Sequence, residues 1–116
     1  MPRSIVKSSD VVGKDVINKS KENLGEICDF ALDKVTGNVL YVTLQCGDFL
    51  GIGGKLFALP WNSIEYNKSE DSFMLDVNKE TLKNSAGFDK DHWPETPDMT
   101  LTTPGTMRNR VGGTGI

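Results

Sequence analysis

Apolar and polar positions alternate with a period of two through most of the chain, and clusters of Asn, Asp, Ser, Lys and Gly interrupt them at short intervals, the pattern of strands joined by turns. Residues 11–17 open the pattern, and a polar turn at 18–23 leads into a second run at 24–33. There the apolar side shifts from Ile27 to Phe30 and Leu32, which predicts a bulge or strong bend near Asp29. In the turn at 33–38, Gly37 stands where a hairpin loop needs a positive φ, and Asn38 tolerates that region too. The run at 39–44 is rich in β-branched and aromatic residues, with Leu40, Val42 and Leu44 on one face and Val39, Tyr41 and Thr43 on the other.

After a glycine-rich segment at 47–54, residues 55–61 alternate again until Pro60, which cannot donate to a ladder and so ends the strand, bends it or places it at an edge. Residues 62–66 and 73–77 flank a polar turn and predict another hairpin, and Asn78 is placed to cap a helix of one or two turns. The expected fold is all-β: a small antiparallel barrel built as a meander, with a short C-terminal helix.

One hundred and sixteen residues suffice for one domain. Hydrophobic residues at 37%, charged residues at 25% and a mean hydropathy of -0.33 exclude a highly charged disordered tract. No run approaches the roughly 18 to 20 apolar residues of a membrane span. All nine aromatic residues fall between Phe30 and Trp93, which places the expected core there. Residues 97–116 are rich in Thr, Gly and Pro without an apolar period. The expected division is a barrel domain at 9–95 and a flexible tail at 96–116, whose loss beyond 96 leaves stability nearly unchanged.

A net charge of -3 provides no whole-chain field for nucleic acid, and direct DNA binding is not expected. Lys19 and Lys21 are followed by Glu22, and Lys68 by Glu70 and Asp71, as in solvated turns. Cys28 and Cys46 lie in apolar runs, form no Cys-x-x-Cys pair and read as small buried hydrophobes. With no apolar leader at the N-terminus, a cytoplasmic location is expected.

Catalytic signals are weak. Gly51-Ile52-Gly53-Gly54-Lys55 fails the phosphate-loop spacing, with Phe49 in place of the first Gly and Leu56 in place of the hydroxyl residue. His92 is the single histidine and lies in a terminal extension, which disfavours a Cys–His nucleophile. Asp89, Asp91 and Glu95 resemble part of a calcium loop, but Pro94 replaces the required Gly. Asp29 and Asp33 beside a bend read as turn-forming carboxylates rather than a catalytic pair. The expectation is a non-enzymatic protein with no catalytic, cofactor-binding or metal-ligating residues.

The informative segment is 48–54, where Phe49, Leu50 and Ile52 stand among residues too small to cover them. They either fold back over an open barrel end or pack against a second subunit, and a symmetric homodimer is the commonest soluble arrangement. Trp61 joins them as a candidate interface residue, with core packing as its other reading. Phe88 and Trp93 are expected to anchor the extension against the barrel.

Gly13-Lys14-Asp15-Val16, Leu24-Gly25-Glu26-Ile27 with Asp29 and Asp33, Thr36-Gly37, Phe49-Leu50-Gly51-Ile52-Gly53 and Phe57-Ala58-Leu59-Pro60-Trp61 together resemble the PRC-barrel family. The family is named for the cytoplasmic domain of the photosynthetic reaction-centre H subunit, and the resemblance extends over about residues 9–95. It implies a protein-binding scaffold of the stand-alone bacterial or archaeal kind, related to stress responses or cell division, with protein partners. The alternative is an RNA- or ribosome-associated accessory factor using Lys19, Lys21, Arg108 and Arg110.

Overall fold

Among the described residues the alternating segments fold into six strands: β1 (Asp15–Ile17), β2 (Asn23–Leu32), β3 (Val39–Cys46), β4 (Leu56–Leu59), β5 (Ile64–Asn67) and β6 (Ser72–Leu75). A five-residue helix, α1 (Lys79–Lys83), follows, and the Asn78 side chain caps it by accepting from the Thr81 N–H. The computed structural model describes residues 5–46 and 55–101. All six strands belong to one curled sheet in the order β4-β3-β2-β1-β6-β5.

The expected meander holds from β1 to β4 and is then corrected. The β5–β6 hairpin returns to the far side of β1, and β6 runs parallel to β1 with Val16 opposite Phe73. A four-stranded meander leaves the second edge of β1 unpaired, and the returning hairpin closes it. The first strand is also shorter than its apolar run, because a 3-10 turn at Ser8–Asp10 and Gly13 at φ 93 occupy the stretch before Asp15.

Chain connectivity forces the curl. A flat sheet of six strands would hold its edges about 24 Å apart. Edge strands β4 and β5 are separated only by residues 60–63, and the five steps from Leu59 to Ile64 reach at most about 17 Å. The β2–β3 ladder supplies the bend through register shifts between Ile27 and Asp29 and between Ala31 and Leu32. Gly25 permits close strand approach: a Cβ there would lie 2.2 Å from the Gln45 carbonyl oxygen.

The inner face buries Val16, Leu24, Ile27, Val42, Leu44, Phe57, Leu59 and Leu75 completely, with Ile64 and Phe73 nearly so. The core therefore extends beyond the aromatic span. Val11 precedes that span, and Leu101, fully buried in the same cluster, lies beyond it. This also corrects the tail boundary. Residues 96–101 are docked: the Asp98 N–H donates to the Ala58 carbonyl at 2.8 Å, and a 3-10 turn at Met99–Leu101 inserts Leu101. A single large apolar side chain has no period, so composition alone missed it. Residues 102–116 of the expected tail lie outside the described residues.

Residues 85–101 also explain why both faces of β3 are buried. Val42 and Leu44 face the core, while Tyr41 on the opposite face is 1% exposed beneath the C-terminal segment, its hydroxyl donating to the Pro94 carbonyl at 2.7 Å.

Candidate interaction surface

Pro60 ends β4, and its carbonyl accepts from both the N–H and the hydroxyl of Ser63, fixing the 3-10 turn Trp61–Ser63. Trp61 is thereby set between Phe30, 5.7 Å away, and Phe73, 6.2 Å away. Tyr66 of β5 continues the row at 5.3 Å from Phe73. Trp61, Tyr66 and Phe73 line an open groove of about 430 Å³ together with Ile5 and Val6. Ile5 is 81% exposed, and Val6 and Tyr66 are each 51% exposed, so the apolar lining reaches solvent.

The rim is polar and self-bridged. Lys14 Nζ lies 2.6 Å from Asp71 Oδ2, and the Tyr66 hydroxyl donates to Asp71 Oδ1 at 2.6 Å. Asp71 adopts φ 49 at the end of the β5–β6 turn, a conformation that aspartate tolerates better than most residues, and this presents its carboxylate to both partners. The hydrogen bonds from Lys14 and then Tyr66 hold the Asp71 carboxyl below its ordinary value, and the same bonds raise Lys14 and Tyr66 above theirs. Asp10 completes the rim.

A second, broader depression of about 820 Å³ lies between the β2–β3 hairpin and residues 93–95. Leu32 and Val39, register partners across that hairpin, are exposed beside it.

Among the residues singled out from sequence, Trp61 lines the first groove and packs half-buried against the core. Phe49, Leu50 and Ile52 lie outside the described residues. Phe88 pairs with Leu56 in an isolated bridge, and its ring lies 6.3 Å from Tyr41 and 5.7 Å from Trp93. Trp93 is 6.2 Å from Tyr41, and its indole N–H donates to the Lys90 carbonyl. Sequence reasoning passed over Tyr41, Leu101 and the Lys14–Asp71–Tyr66 bridge. Only the buried-strand pattern around Tyr41 hinted at one of them.

The candidate catalytic groups are occupied structurally. Asp33 Oδ1 accepts from the Val35 and Thr36 amides, which lowers its pKa, and Asp29 Oδ1 accepts from Phe30. Asp89 accepts from the Asp91 amide and pairs with His92 Nδ1 at 2.7 Å, well exposed. Burial raises the Cys28 thiol and pushes Cys46 up to about 12. Lys19 pairs with Asp76, and Lys21 with Glu70. Among the described residues no group of three or more His, Cys, Asp or Glu is placed to hold a metal ion, and no helix is long and apolar enough to cross a membrane.

A family model described as PRC-barrel domain matches residues 4–82. No curated protein matches the chain.

Proposed function

The chain belongs to the PRC-barrel domain family, and on that premise we propose that it is a cytoplasmic, non-enzymatic protein–protein interaction module that works as a homodimer. The observation that carries this reading is the groove beside Trp61, whose walls expose Ile5, Val6 and Tyr66 together. A contiguous apolar surface of this kind is costly in water and is relieved by a partner. Its rim carries both signs of charge, with Lys14 next to Asp10 and Asp71. Lys14 and Asp71 already pair with each other, so the apolar face between them carries the contact, and a second copy of the chain, the commonest soluble arrangement, is the occupant of this reading. Phe49, Leu50 and Ile52 belong to the same reading as further apolar contacts.

The chemistry of the remaining groups supports a binding role over a catalytic one. Raised thiols are poor nucleophiles, and the carboxylates at Asp29, Asp33 and Asp89 are engaged in turns. An RNA-associated role draws less support, because Lys19 and Lys21 already face acidic partners.

Sedimentation velocity of Ile5→Ser/Tyr66→Ser beside Phe49→Ser/Ile52→Ser tests the reading. The groove variant is expected to shift a wild-type dimer to a folded monomer. A dimer unchanged in both variants contradicts it.

A further inference from the structure

The outer edge of β4 is where this chain departs from a simple curled sheet. β4 is buried along its whole length and carries only apolar side chains, Leu-Phe-Ala-Leu. An unpaired strand of that composition is a template for another strand. Here the chain covers its own edge. The Leu56 N–H donates to the Phe88 carbonyl at 2.9 Å, the Phe88 N–H donates to the Leu56 carbonyl at 2.8 Å, and the Asp98 N–H donates to the Ala58 carbonyl. Lys55 Nζ steadies the approach by donating to the Ser85 carbonyl at 2.7 Å.

The strap that makes these bonds lies beyond the part of the chain matched by the family model, which ends at residue 82. It touches the β4 edge at two separate places, near Leu56 and at Ala58, while residues 89–93 between them are exposed. Gly87 starts the strap at φ 63, where a Cβ would lie 2.8 Å from the Leu56 carbonyl oxygen. The strap is also held by the Tyr41–Pro94 hydrogen bond and by Leu101 in the core, so its opening releases both, while the backbone ladders joining β1 to β4 need not break.

We propose that the outer edge of β4 is a strand-addition surface that residues 85–101 hold closed. Its external occupant is an extended polypeptide segment that pairs antiparallel to β4 and sets an aromatic residue opposite Leu56, as Phe88 does. The strap is then an autoinhibitory strand, and its displacement exposes the edge. A tethered strap competes at an effective concentration of about 1 mM, so a free segment of equal affinity at about 10 µM displaces roughly one strap in a hundred. Weakening the strap is therefore the switch.

Two measurements on the full chain test this, and neither reads self-association, so their outcome is separate from that of the groove. In wild-type hydrogen exchange, the amides of Leu56, Phe88 and Asp98 are expected to exchange together at least about tenfold faster than those of Val42 and Leu44 in β3. Equal rates overturn the proposal, because the strap then opens only with the whole barrel. In the second measurement, a labelled synthetic peptide of residues 85–101 is titrated into wild type and into Gly87→Val. The variant is expected to bind it at least about tenfold more tightly, and a peptide carrying Phe88→Pro, which lacks the N–H that Leu56 accepts, is expected not to bind. No binding to Gly87→Val at 1 mM peptide, whether the variant is folded or destabilised, overturns the proposal, as does equal binding of the Pro peptide.

Discussion

The Tyr41 hydroxyl donates a 2.7 Å hydrogen bond to the Pro94 carbonyl, joining the middle of β3 to the C-terminal segment across 53 positions of sequence. The ring is covered by Phe88 and Trp93, and burial raises the phenol above its ordinary pKa. Tyr41→Phe keeps the ring and removes the donor, so it is expected to cost about 1 kcal/mol in urea unfolding. A stability equal to wild type would show that this bond contributes nothing net.

Leu101 fills the core from beyond the family-matched segment. Leu101→Ala is expected to cost about 2 to 5 kcal/mol, as for other fully buried leucines. A chain ending at residue 96 also loses the Asp98 bond to β4, and its melting temperature should fall by about 10 °C or more. Thermal unfolding followed by circular dichroism checks both, and an unchanged melting temperature on truncation contradicts the docked segment.

Gly25 lies at φ 142 with the Gln45 carbonyl oxygen 2.2 Å from where a Cβ would stand and the Cys46 Cα 2.9 Å away. Both obstacles are backbone, so relief requires the β2–β3 ladder to shift. Gly25→Ala is expected to destabilise by about 3 kcal/mol, measured from the denaturation midpoint. Gly13→Ala meets no atom within 4 Å and carries only the backbone strain of φ 93, so it is expected to cost less.

The Lys14–Asp71–Tyr66 bridge gives stability a defined dependence on pH. Asp71 is held below the ordinary carboxylate value when folded, so its contribution is full above that value and is lost as pH falls through the lower folded one. Lys14 and Tyr66 are raised, so theirs is present below their ordinary values and is lost as pH rises through the higher folded ones, at the alkaline end. Asp71→Asn should flatten part of the acid limb below about pH 4, leaving the share due to Asp33 and Asp89, which are lowered as well. Urea midpoints measured against pH decide it. A profile identical to wild type in that window contradicts the bridge.

Much of the local structure was legible in the sequence because local signals caused it. Gly37 adopts φ 82 in a turn closed by the Asp33 N–H donating to the Asn38 carbonyl, Asn78 caps α1, and the shift of apolar side after Ile27 coincides with the bulge. The parallel pairing of β1 with β6 was not legible, since a period of two fixes which face a residue takes and not which strand lies beside it. Leu101 was hidden for a related reason, since only Met99 accompanies it in a stretch otherwise of Thr, Pro, Asp and Gly. The groove was legible only at Trp61. Ile5 and Val6 of its lining come from a segment whose position depends on the tertiary fold, and the Lys14–Asp71 bridge spans 57 positions.

In the proposed dimer a second copy of the chain covers the exposed apolar groove. Light scattering on wild-type protein eluting from size exclusion, repeated over a concentration range, reads this most directly. The expected mass is twice 12.7 kDa, persisting on dilution into the low micromolar range and falling to 12.7 kDa in Ile5→Ser/Tyr66→Ser. A wild-type mass of 12.7 kDa at every concentration would contradict it.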